Sequence, residues 1–236
     1  MKYTTIIFDL DDTLTDDKEN VKVGFKKMLD YMNDEYSDEK AERFIKIDKQ
    51  TWIDRNEGRL VSPFEDNKEK KTEWVRASRF LKYYDNKISY ETAVKLNNLY
   101  LDALKEKVVP REGVFEIIKY LYDKGYKLII ATNGPIVPLD VKLEKLNIKQ
   151  FISTVFSAEE VGFSKPNKQF YDGLFEKAKL LKKEKILFVG DELSKDIKGG
   201  IENGLDTCWC NYKNDVNNEY DTTYEIHSIL ELKNIL

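Results

Sequence analysis

The sequence predicts an α/β protein that has a doubly wound, mostly parallel sheet and a helical domain inserted into it. Short apolar runs alternate with helical patterns from about residue 108 onward, and this alternation is typical of a parallel sheet with helices on both faces. A long stretch after the first apolar run contains no strand pattern. The chain has 236 residues, which is long for one domain of about 150 residues and short for two.

Five apolar runs are predicted to be strands because they are rich in β-branched and aromatic residues, as buried parallel strands are. They span residues 3–9, 127–132, 186–189 and 207–211, with a weaker run at residues 154–157. Between them, apolar residues recur with the spacing of one helix face. These helical stripes are Val114, Ile117, Ile118 and Leu121, and Phe170, Tyr171, Leu174, Phe175 and Ala178.

The segment 16–107 is too long to be a loop inside a compact domain, and we interpret it as a helical insertion with its own small core. Apolar residues at helical spacing form two stripes in it, at Val21, Phe25, Met28, Leu29 and Met32, and at Ala93, Leu96, Leu99, Tyr100, Ala103 and Leu104. The predicted domains are therefore a core of residues 1–15 and 108–236 and a helical domain of residues 16–107.

The charge balance excludes the partners that a strongly basic protein would have. Forty-three acidic and 39 basic residues give a formal net charge of −4, which creates no field that attracts nucleic acid or an anionic membrane. No apolar run approaches the roughly 18 residues of a membrane span, and the first residues lack a basic stretch followed by an apolar one. We expect a soluble cytoplasmic protein whose partner is a small molecule. The oligomeric state stays open, with a monomer favoured.

Polar residues follow several predicted strands and are the candidate functional residues. The carboxyl ends of parallel strands meet at one edge of the sheet, where ligands bind in open α/β folds, so we expect these side chains to lie close together. Carboxylates at such a distance repel one another unless a cation holds them or one stays protonated. In chain order, the candidates are Asp9, Asp11, Thr132, Asn133, Lys165, Asp191 and Asp196.

Four ordered motifs carry a resemblance to the haloacid dehalogenase superfamily, specifically to its phosphatases with a helical cap inserted after the first motif. The motifs are Asp9-Leu10-Asp11-Asp12-Thr13-Leu14, Thr132-Asn133-Gly134, Lys165-Pro166, and Gly190-Asp191 through Asp196. The resemblance spans essentially the whole chain, because the segment 16–107 lies where that type of cap is inserted. It implies a Rossmann-like core, a cap domain and phosphomonoesterase activity.

The resemblance assigns different roles to the first two carboxylates. Asp9 is expected to attack phosphorus and form an aspartyl phosphate, and Asp11 to act first as general acid for the leaving oxygen and then as general base for water. The chemistry agrees, because a phosphate monoester reacts very slowly with water and needs a nucleophile, charge neutralisation and a proton for the leaving alkoxide.

The expected cofactor is Mg²⁺, which binds through carboxylates, waters and substrate phosphate. The candidate metal ligands are Asp9, the backbone carbonyl of Asp11, and Asp191, while Asp196 is expected to orient a metal-bound water from outside the ligand set. The phosphate-binding candidates are Thr132, Asn133 through an amide, and Lys165.

Two residues depart from the usual pattern of the superfamily. Asp12 stands where many members carry glycine, and Glu192 stands where serine or asparagine often follows the motif aspartate. The sequence leaves the role of both open, although for Glu192 we favour a side chain that faces solvent over one that joins the metal ligands.

Residues 190–200 and 204–211 resemble the branch that contains pyrimidine 5′-nucleotidases, which implies a nucleoside 5′-monophosphate as substrate. Two alternatives stay open: a sugar-phosphate phosphatase or phosphomutase with the same motifs, and a phosphoaccepting signalling or scaffold protein that does not turn over. A dehalogenase is disfavoured, because that branch lacks a carboxylate at the position of Asp11.

Overall fold

The first apolar run forms a central strand of the sheet in the computed structural model, which describes residues 2–64, 67–136, 139–180 and 182–236. Within these residues, the sheet has six strands in the order β3-β2-β1-β4-β5-β6, and every neighbouring pair is parallel. The strands are β1 (Thr5–Phe8), β2 (Lys127–Thr132), β3 (Thr154–Ser157), β4 (Ile186–Gly190), β5 (Asp206–Cys210) and β6 (Tyr224–Ile226).

The chain forms two compact units, Met1–Asp17 with Val108–Leu236, and Lys18–Lys107. We call the first the sheet unit and the second the inserted unit. Among the described residues of the segment that leads into and through the inserted unit, the helices are α1 (Asp17–Tyr31), α2 (Asp38–Asn56), α3 (Lys68–Tyr83) and α4 (Tyr90–Glu106). The helices of the sheet unit are α5 (Val114–Asp123), α6 (Leu139–Lys145), α7 (Ala158–Val161), α8 (Lys168–Ala178) and α9 (Lys198–Glu202).

Hydrophobic cores on both faces of the sheet confirm the doubly wound α/β prediction. Successive strand residues point to opposite faces, so Ile6 and Phe8 of β1 belong to one core while Ile7 belongs to the other. Helix α5 packs its predicted apolar stripe into the first core, and α8 packs its stripe into the second. The sheet is wholly parallel, whereas we expected a mostly parallel one.

Short turns complete the sheet unit. In the part of the chain that the structure describes, 3₁₀ turns lie at Lys149–Phe151, Lys183–Lys185 and Ile229–Asn234. A π-helical turn at Leu193–Ile197 follows β4, and it matters for the site because it contains Asp196.

The inserted unit has an aromatic core of its own. The rings of Phe25 and Phe44 stack with centroids 5.0 Å apart, and Phe44 also contacts Phe80 and Tyr100. Side chains cap the N-termini of α2, α3 and α4. The side chains of Ser37, Asn67 and Ser89 accept hydrogen bonds from backbone N–H groups in the first turns of these helices.

A buried cation also holds the inserted unit together. Arg79 is 5% exposed, and its guanidinium donates to Asp48 at 2.6 Å and to Asn97 at 2.9 Å. It lies 4.9 Å from the centre of the Tyr100 ring. These contacts supply both a counter-ion and hydrogen-bond acceptors, which a buried charge needs in order to be tolerated.

Among the described residues, no helix combines the length and the apolar composition that crossing a bilayer requires.

Candidate active site

The candidate residues lie together at the carboxyl edge of the sheet unit. Asp9 directly follows β1, and its backbone N–H donates to the carbonyl of Val189 on β4 at 2.9 Å. Asp191 directly follows β4, and Thr132 is the last residue of β2. The parallel register of the three central strands therefore positions all three side chains at one edge.

Lys165 is almost completely buried and joins two of the carboxylates. Its Nζ lies 2.5 Å from Oδ1 of Asp9 and 2.7 Å from Oδ1 of Asp196, and it donates to the carbonyl oxygen of Ala131 at 2.9 Å. The Asp9 carboxylate and the Ala131 carbonyl accept hydrogen bonds from the ammonium group, and Asp196 adds an ion-pair contact. With 2% of its surface exposed, Lys165 is a fixed part of this edge rather than a solvated loop lysine.

The hydroxyl group of Thr13 connects Asp9 with Asp191. Its Oγ1 lies 3.1 Å from Oδ2 of Asp9 and 3.0 Å from Oδ1 of Asp191. Thr13 is fully buried, so it fixes the direction of the carboxylates that follow β1 and β4. The first motif thus holds its first aspartate in place through its own threonine.

Asp196 reaches the site because the chain approaches itself closely at Gly190. A Cβ atom at Gly190 would overlap the side chain of Asp196, so only glycine leaves the space that Asp196 occupies. Oδ2 of Asp196 accepts the backbone N–H of Glu192 at 3.1 Å, which anchors the π-helical turn over the end of β4. The glycine and the second aspartate of the fourth motif therefore depend on each other.

Burial and mutual repulsion raise the pKa of the carboxylates at this edge. Burial, opposed by the charge of Lys165, raises the pKa of Asp9 to about 7. Burial and the neighbouring charges of Asp196 and Asp9 raise the pKa of Asp191 to about 8. Three carboxylates share one lysine here, so the group has an excess of negative charge that a cation would offset.

The geometry of the three carboxylates fits a divalent metal ion. One oxygen each from Asp9, Asp191 and Asp196 lie within 4.8 Å of one another, and carboxylate oxygens are the preferred protein ligands of Mg²⁺. Asp196 lies as close as the other two, although we expected it outside the ligand set. The expectation that Asp196 acts from outside the ligand set therefore stays a prediction.

The carboxylate of Asp11 belongs to a separate ion-pair group. Its Oδ1 accepts from Nζ of Lys142, which also lies 3.3 Å from Oδ1 of Asp17. Burial, opposed by the charge of Lys142, raises the pKa of Asp11. Among the described residues, the metal-sized acidic group does not include this carboxylate, and the expectation that Asp11 contacts a metal through its backbone carbonyl stays a prediction.

The second motif supports the lysine loop. The side-chain amide of Asn133 donates to the carbonyl of Lys165 at 3.2 Å, and its oxygen accepts the N–H of Lys165 at 2.8 Å. The hydroxyl oxygen of Thr132 accepts the N–H of Gly134 at 2.8 Å. The Asn133 side chain is therefore committed to Lys165, which leaves its backbone N–H as the amide that could contact a phosphate.

The structure gives Asp12 a local role that the sequence left open. Its φ is 66°, a left-handed conformation that explains why glycine suits this position and that aspartate tolerates. Oδ1 of Asp12 accepts the N–H of Asp17 at 3.2 Å and lies 3.6 Å from the guanidinium of Arg111. Asp12 thus stabilises the turn that leads into α1.

The side chain of Glu192 points to its own turn. Its carboxylate accepts from the hydroxyl of Ser194 at 3.0 Å and lies 3.7 Å from Nζ of Lys195. Both contacts are on the surface of the π-helical turn, which agrees with the interpretation that Glu192 faces solvent rather than joining the metal ligands.

Lys142 is a site residue that the sequence analysis missed. It lies on α6 in the same stripe as Leu139, Leu143 and Leu146, all of which are buried. A charged residue in an apolar stripe at positions i, i+3, i+4 and i+7 is rare unless it is paired. A lysine at a buried position of this stripe was therefore the sequence feature that could have identified Lys142.

Comparison with known proteins places the chain in a family. The model of the haloacid dehalogenase-like hydrolases matches residues 6–210, a span that includes all four motifs. The chain belongs to the haloacid dehalogenase-like hydrolase family. The resemblance drawn from the motifs is thereby confirmed, and so is the prediction of an enzyme of the hydrolase class.

Several relatives are similar over their full length. YfnB of Bacillus subtilis, named as a HAD-hydrolase, is 31% identical and is matched over 100% of this chain and 96% of its own. The crystal structure of YfnB bound to magnesium superposes with a TM-score of 0.85 over 100% of this chain and 99% of that one. This similarity confirms the family fold, and it supplies a magnesium-bound relative.

Two other relatives carry names that specify substrates. The pyrimidine 5′-nucleotidase YjjG of Escherichia coli is 30% identical over 100% of this chain and 99% of its own. A glyceraldehyde 3-phosphate phosphatase of Methanocaldococcus jannaschii is also 30% identical, over 98% of this chain and 96% of its own. The two names specify different phosphate esters, which differ in the leaving group attached to the phosphate.

Proposed function

We propose that the protein is a Mg²⁺-dependent phosphomonoesterase that forms an aspartyl phosphate on Asp9. The observation that carries this proposal is the position of Asp9 at the end of β1, where Lys165 and Thr13 each hold one of its oxygens. A carboxylate fixed in this way presents an oriented nucleophile, and orientation accounts for a large part of enzymatic rate enhancement. The nearby carboxylates of Asp191 and Asp196 add the charge that a metal site requires.

In the first step, an oxygen of Asp9 forms a bond to phosphorus while the bond from phosphorus to the ester oxygen breaks. The departing oxygen takes a proton from the carboxyl group of Asp11, so the alcohol leaves neutral. Lys165 offsets the negative charge of the transferring phosphoryl group. The raised pKa of Asp11 supports its protonated form in this step.

In the second step, a water molecule attacks the same phosphorus and gives a proton to Asp11. The bond between phosphorus and Asp9 breaks, which releases inorganic phosphate and regenerates both carboxyl groups. The proton that Asp11 lost in the first step is therefore returned in the second. Asp11 transfers a proton in both steps, whereas Asp9 is phosphorylated in the first step and dephosphorylated in the second.

The proposed metal ligands are the carboxylates of Asp9 and Asp191 and the backbone carbonyl of Asp11, with Asp196 orienting a metal-bound water. When bound, Mg²⁺ neutralises charge on the phosphoryl oxygens. Thr132, the backbone N–H of Asn133 and Lys165 are the proposed phosphate contacts. Burial and then the neighbouring carboxylates raise the pKa of Asp9 and Asp191, and the excess of carboxylates at this edge supports the assignment of a divalent cation.

The proposed substrate is a nucleoside 5′-monophosphate, which the full-length similarity to a pyrimidine 5′-nucleotidase supports. The equal similarity to a glyceraldehyde 3-phosphate phosphatase favours a sugar phosphate as the second candidate. The proposed reaction centre lies entirely in the sheet unit. We therefore propose residues 16–107 as the cap domain that selects the leaving group, with residues 1–15 and 108–236 as the catalytic core.

The test is phosphate release by the purified protein from a panel of nucleoside monophosphates and sugar phosphates, with Mg²⁺ or with a chelator. We expect turnover only with Mg²⁺ and the highest kcat/KM for a nucleoside monophosphate. Asp9→Asn should abolish turnover, while Asp172→Asn, which changes an exposed carboxylate on α8, should not. Activity that survives in Asp9→Asn would refute the mechanism, and a preference for sugar phosphates would refute the substrate.

A further inference from the structure

Lys142 is a buried lysine that the four motifs do not include. It is 2% exposed, and it lies on α6 among leucines of the core that covers one face of the sheet. Burying an ammonium group is unfavourable unless it is paired and hydrogen-bonded. The partners of Lys142 therefore show what it is there to hold, and they are the carboxylates of Asp11 and Asp17.

The two oxygens of Asp11 are held from two sides. Oδ1 accepts from Lys142. Oδ2 lies against the backbone of Gly134, where a Cβ atom would be only 2.5 Å from it. The carboxylate is thus confined between the ammonium group and the turn after β2, which fixes the direction in which it points.

Asp17 gives Lys142 a second counter-ion. Its Oδ1 lies 3.3 Å from the ammonium nitrogen, and the residue stands at the first position of α1. Lys142 therefore has two carboxylate partners, and its buried charge does not depend on Asp11 alone. Its two carboxylate partners hold the ammonium group of Lys142 in place, and Lys142 in turn holds the carboxyl group of Asp11.

We propose that Lys142 is a positioning residue that holds the carboxyl group of Asp11 for proton transfer to the leaving oxygen. This inference rests on the proposed function, because it deepens the role of Asp11 in that reaction. Lys142 does not act on phosphorus in this proposal. Its influence on the rate is confined to the proton that Asp11 delivers.

This role has a consequence that a purely structural lysine would not have. A nitrophenolate leaving group is a weak base and departs with little help from an acid, whereas an alkoxide needs a proton as it leaves. Loss of the positioning should therefore slow an alkyl phosphate much more than p-nitrophenyl phosphate. The kcat/KM value is the right readout, because it reports the steps from free enzyme to the transition state that releases the alcohol.

The experiment compares kcat/KM of Lys142→Met for an alkyl phosphate and for p-nitrophenyl phosphate. We expect a fall of roughly 30-fold for the alkyl phosphate and of about 3-fold or less for the aryl phosphate, because a misplaced acid loses only part of the roughly 10²–10⁴-fold that general acid catalysis contributes. Both substrates are measured on the same preparation, so the ratio is unaffected by any fraction of unfolded enzyme. Lys142→Arg keeps the charge and should recover part of the loss, and Lys142→Gln repeats the readout if Lys142→Met does not fold.

Two further variants separate positioning from a general defect. In an Asp11→Asn background, Lys142→Met should change the alkyl phosphate rate by less than about 2-fold, because residues that act as a unit are not additive. Lys145→Met changes an exposed lysine on the same helix and should leave the substrate ratio as it is in the wild type.

An equal fall on both substrates would overturn the proposal and leave Lys142 with a structural role only. A full additional loss in the Asp11→Asn background would overturn it as well. Failure of the proposed function is distinguishable from both outcomes, because the wild-type enzyme would then hydrolyse neither phosphate ester.

Discussion

Asp9 and Asp11 are two residues apart in the chain, yet each pairs with a different buried lysine. Lys165 joins Asp9 to Asp196 beside a third carboxylate, Asp191, whereas Lys142 joins Asp11 to Asp17. We call these the Lys165 cluster and the Lys142 cluster. Both solve the same electrostatic problem, the burial of carboxylates, but the surplus of negative charge is larger in the Lys165 cluster, which has three carboxylates to one lysine where the Lys142 cluster has two.

The difference between the clusters separates two chemical tasks. The Lys165 cluster presents a nucleophile and a candidate metal site at the end of β1, where the bond to phosphorus would form. The Lys142 cluster confines a carboxyl group that would handle protons, and it does so with a lysine from the helix after the second motif. Variants in the two clusters should therefore differ in how their effects depend on the leaving group.

The largest effect is expected for Lys165→Met, which removes the cation from the first cluster. Without its charge, the transferring phosphoryl group loses electrostatic stabilisation, and kcat/KM should fall by about 10³-fold. The fall should be similar for alkyl and aryl phosphates, because Lys165 acts on the phosphoryl group and not on the leaving oxygen. A loss confined to alkyl phosphates would place Lys165 in the same role as Lys142 and remove the distinction.

The pH dependence of stability should reveal the surplus charge of the Lys165 cluster. The pKa of Asp191 is raised to about 8, so the folded protein binds this proton more tightly than the unfolded chain does. Unfolding releases the proton between about pH 4 and pH 8, and the stability of the metal-free protein from this source therefore falls as the pH rises through that window. Mg²⁺ needs ionised ligands, so it should stabilise the protein more at pH 8 than at pH 5.

Thermal unfolding in chelator and in Mg²⁺ at both pH values measures this prediction. Asp191→Asn serves as the matched variant, since it removes the titrating group with little change of shape. It should lose less stability than the wild type between pH 5 and pH 8 without metal, and it should respond less to Mg²⁺. Identical behaviour of the two proteins would show that Asp191 lies outside the metal site.

A third buried cation, Arg79, lies in the inserted unit and is expected to affect stability alone. Arg79→Met leaves Asp48 without its partner, and loss of one member of a buried pair should lower the free energy of unfolding by about 3 kcal/mol. Arg43→Met, which breaks an exposed pair with Asp85, should lower it by less than about 1 kcal/mol. Chemical denaturation measures both. A shift in the ratio of alkyl to aryl phosphate rates in Arg79→Met would contradict this assignment.

The smallest effect is expected at Asp12, the acidic residue between the two clusters. Its left-handed backbone suits glycine, so Asp12→Gly should lose only the contacts with Asp17 and Arg111 and should cost about 1 kcal/mol or less. The kcat/KM value should stay within about 3-fold of the wild type. A fall comparable to that of Lys142→Met would mean that Asp12 takes part in proton transfer.

Much of the fold could be predicted from the sequence because the central strands are buried on both faces. Strands β1, β2 and β4 are continuous apolar runs, and the stripes of α5 and α8 are regular. Strand β6 was missed because it has only three residues, with an exposed glutamate in the middle, at the edge of the sheet. A strand this short has no pattern that distinguishes it from a loop.

The motif residues could be predicted because Asp9, Thr132 and Asp191 lie at the carboxyl ends of strands that are recognisable in the sequence. The partnership between Asp11 and Lys142 could not be predicted, since the two residues are 131 positions apart and only the packing of α6 brings them together. The role of Asp12 likewise depends on a backbone angle and on Arg111, neither of which a local motif specifies.

The most direct measurement of the central claim is the chemical trapping of the intermediate on Asp9. The enzyme is mixed with Mg²⁺ and substrate, quenched rapidly in acid and reduced with borohydride, which converts an acyl phosphate to an alcohol. Peptide mass spectrometry should then find homoserine at position 9 in the wild-type protein and only after exposure to substrate. An unmodified Asp9 under conditions of full turnover, or homoserine at another position, would contradict the account.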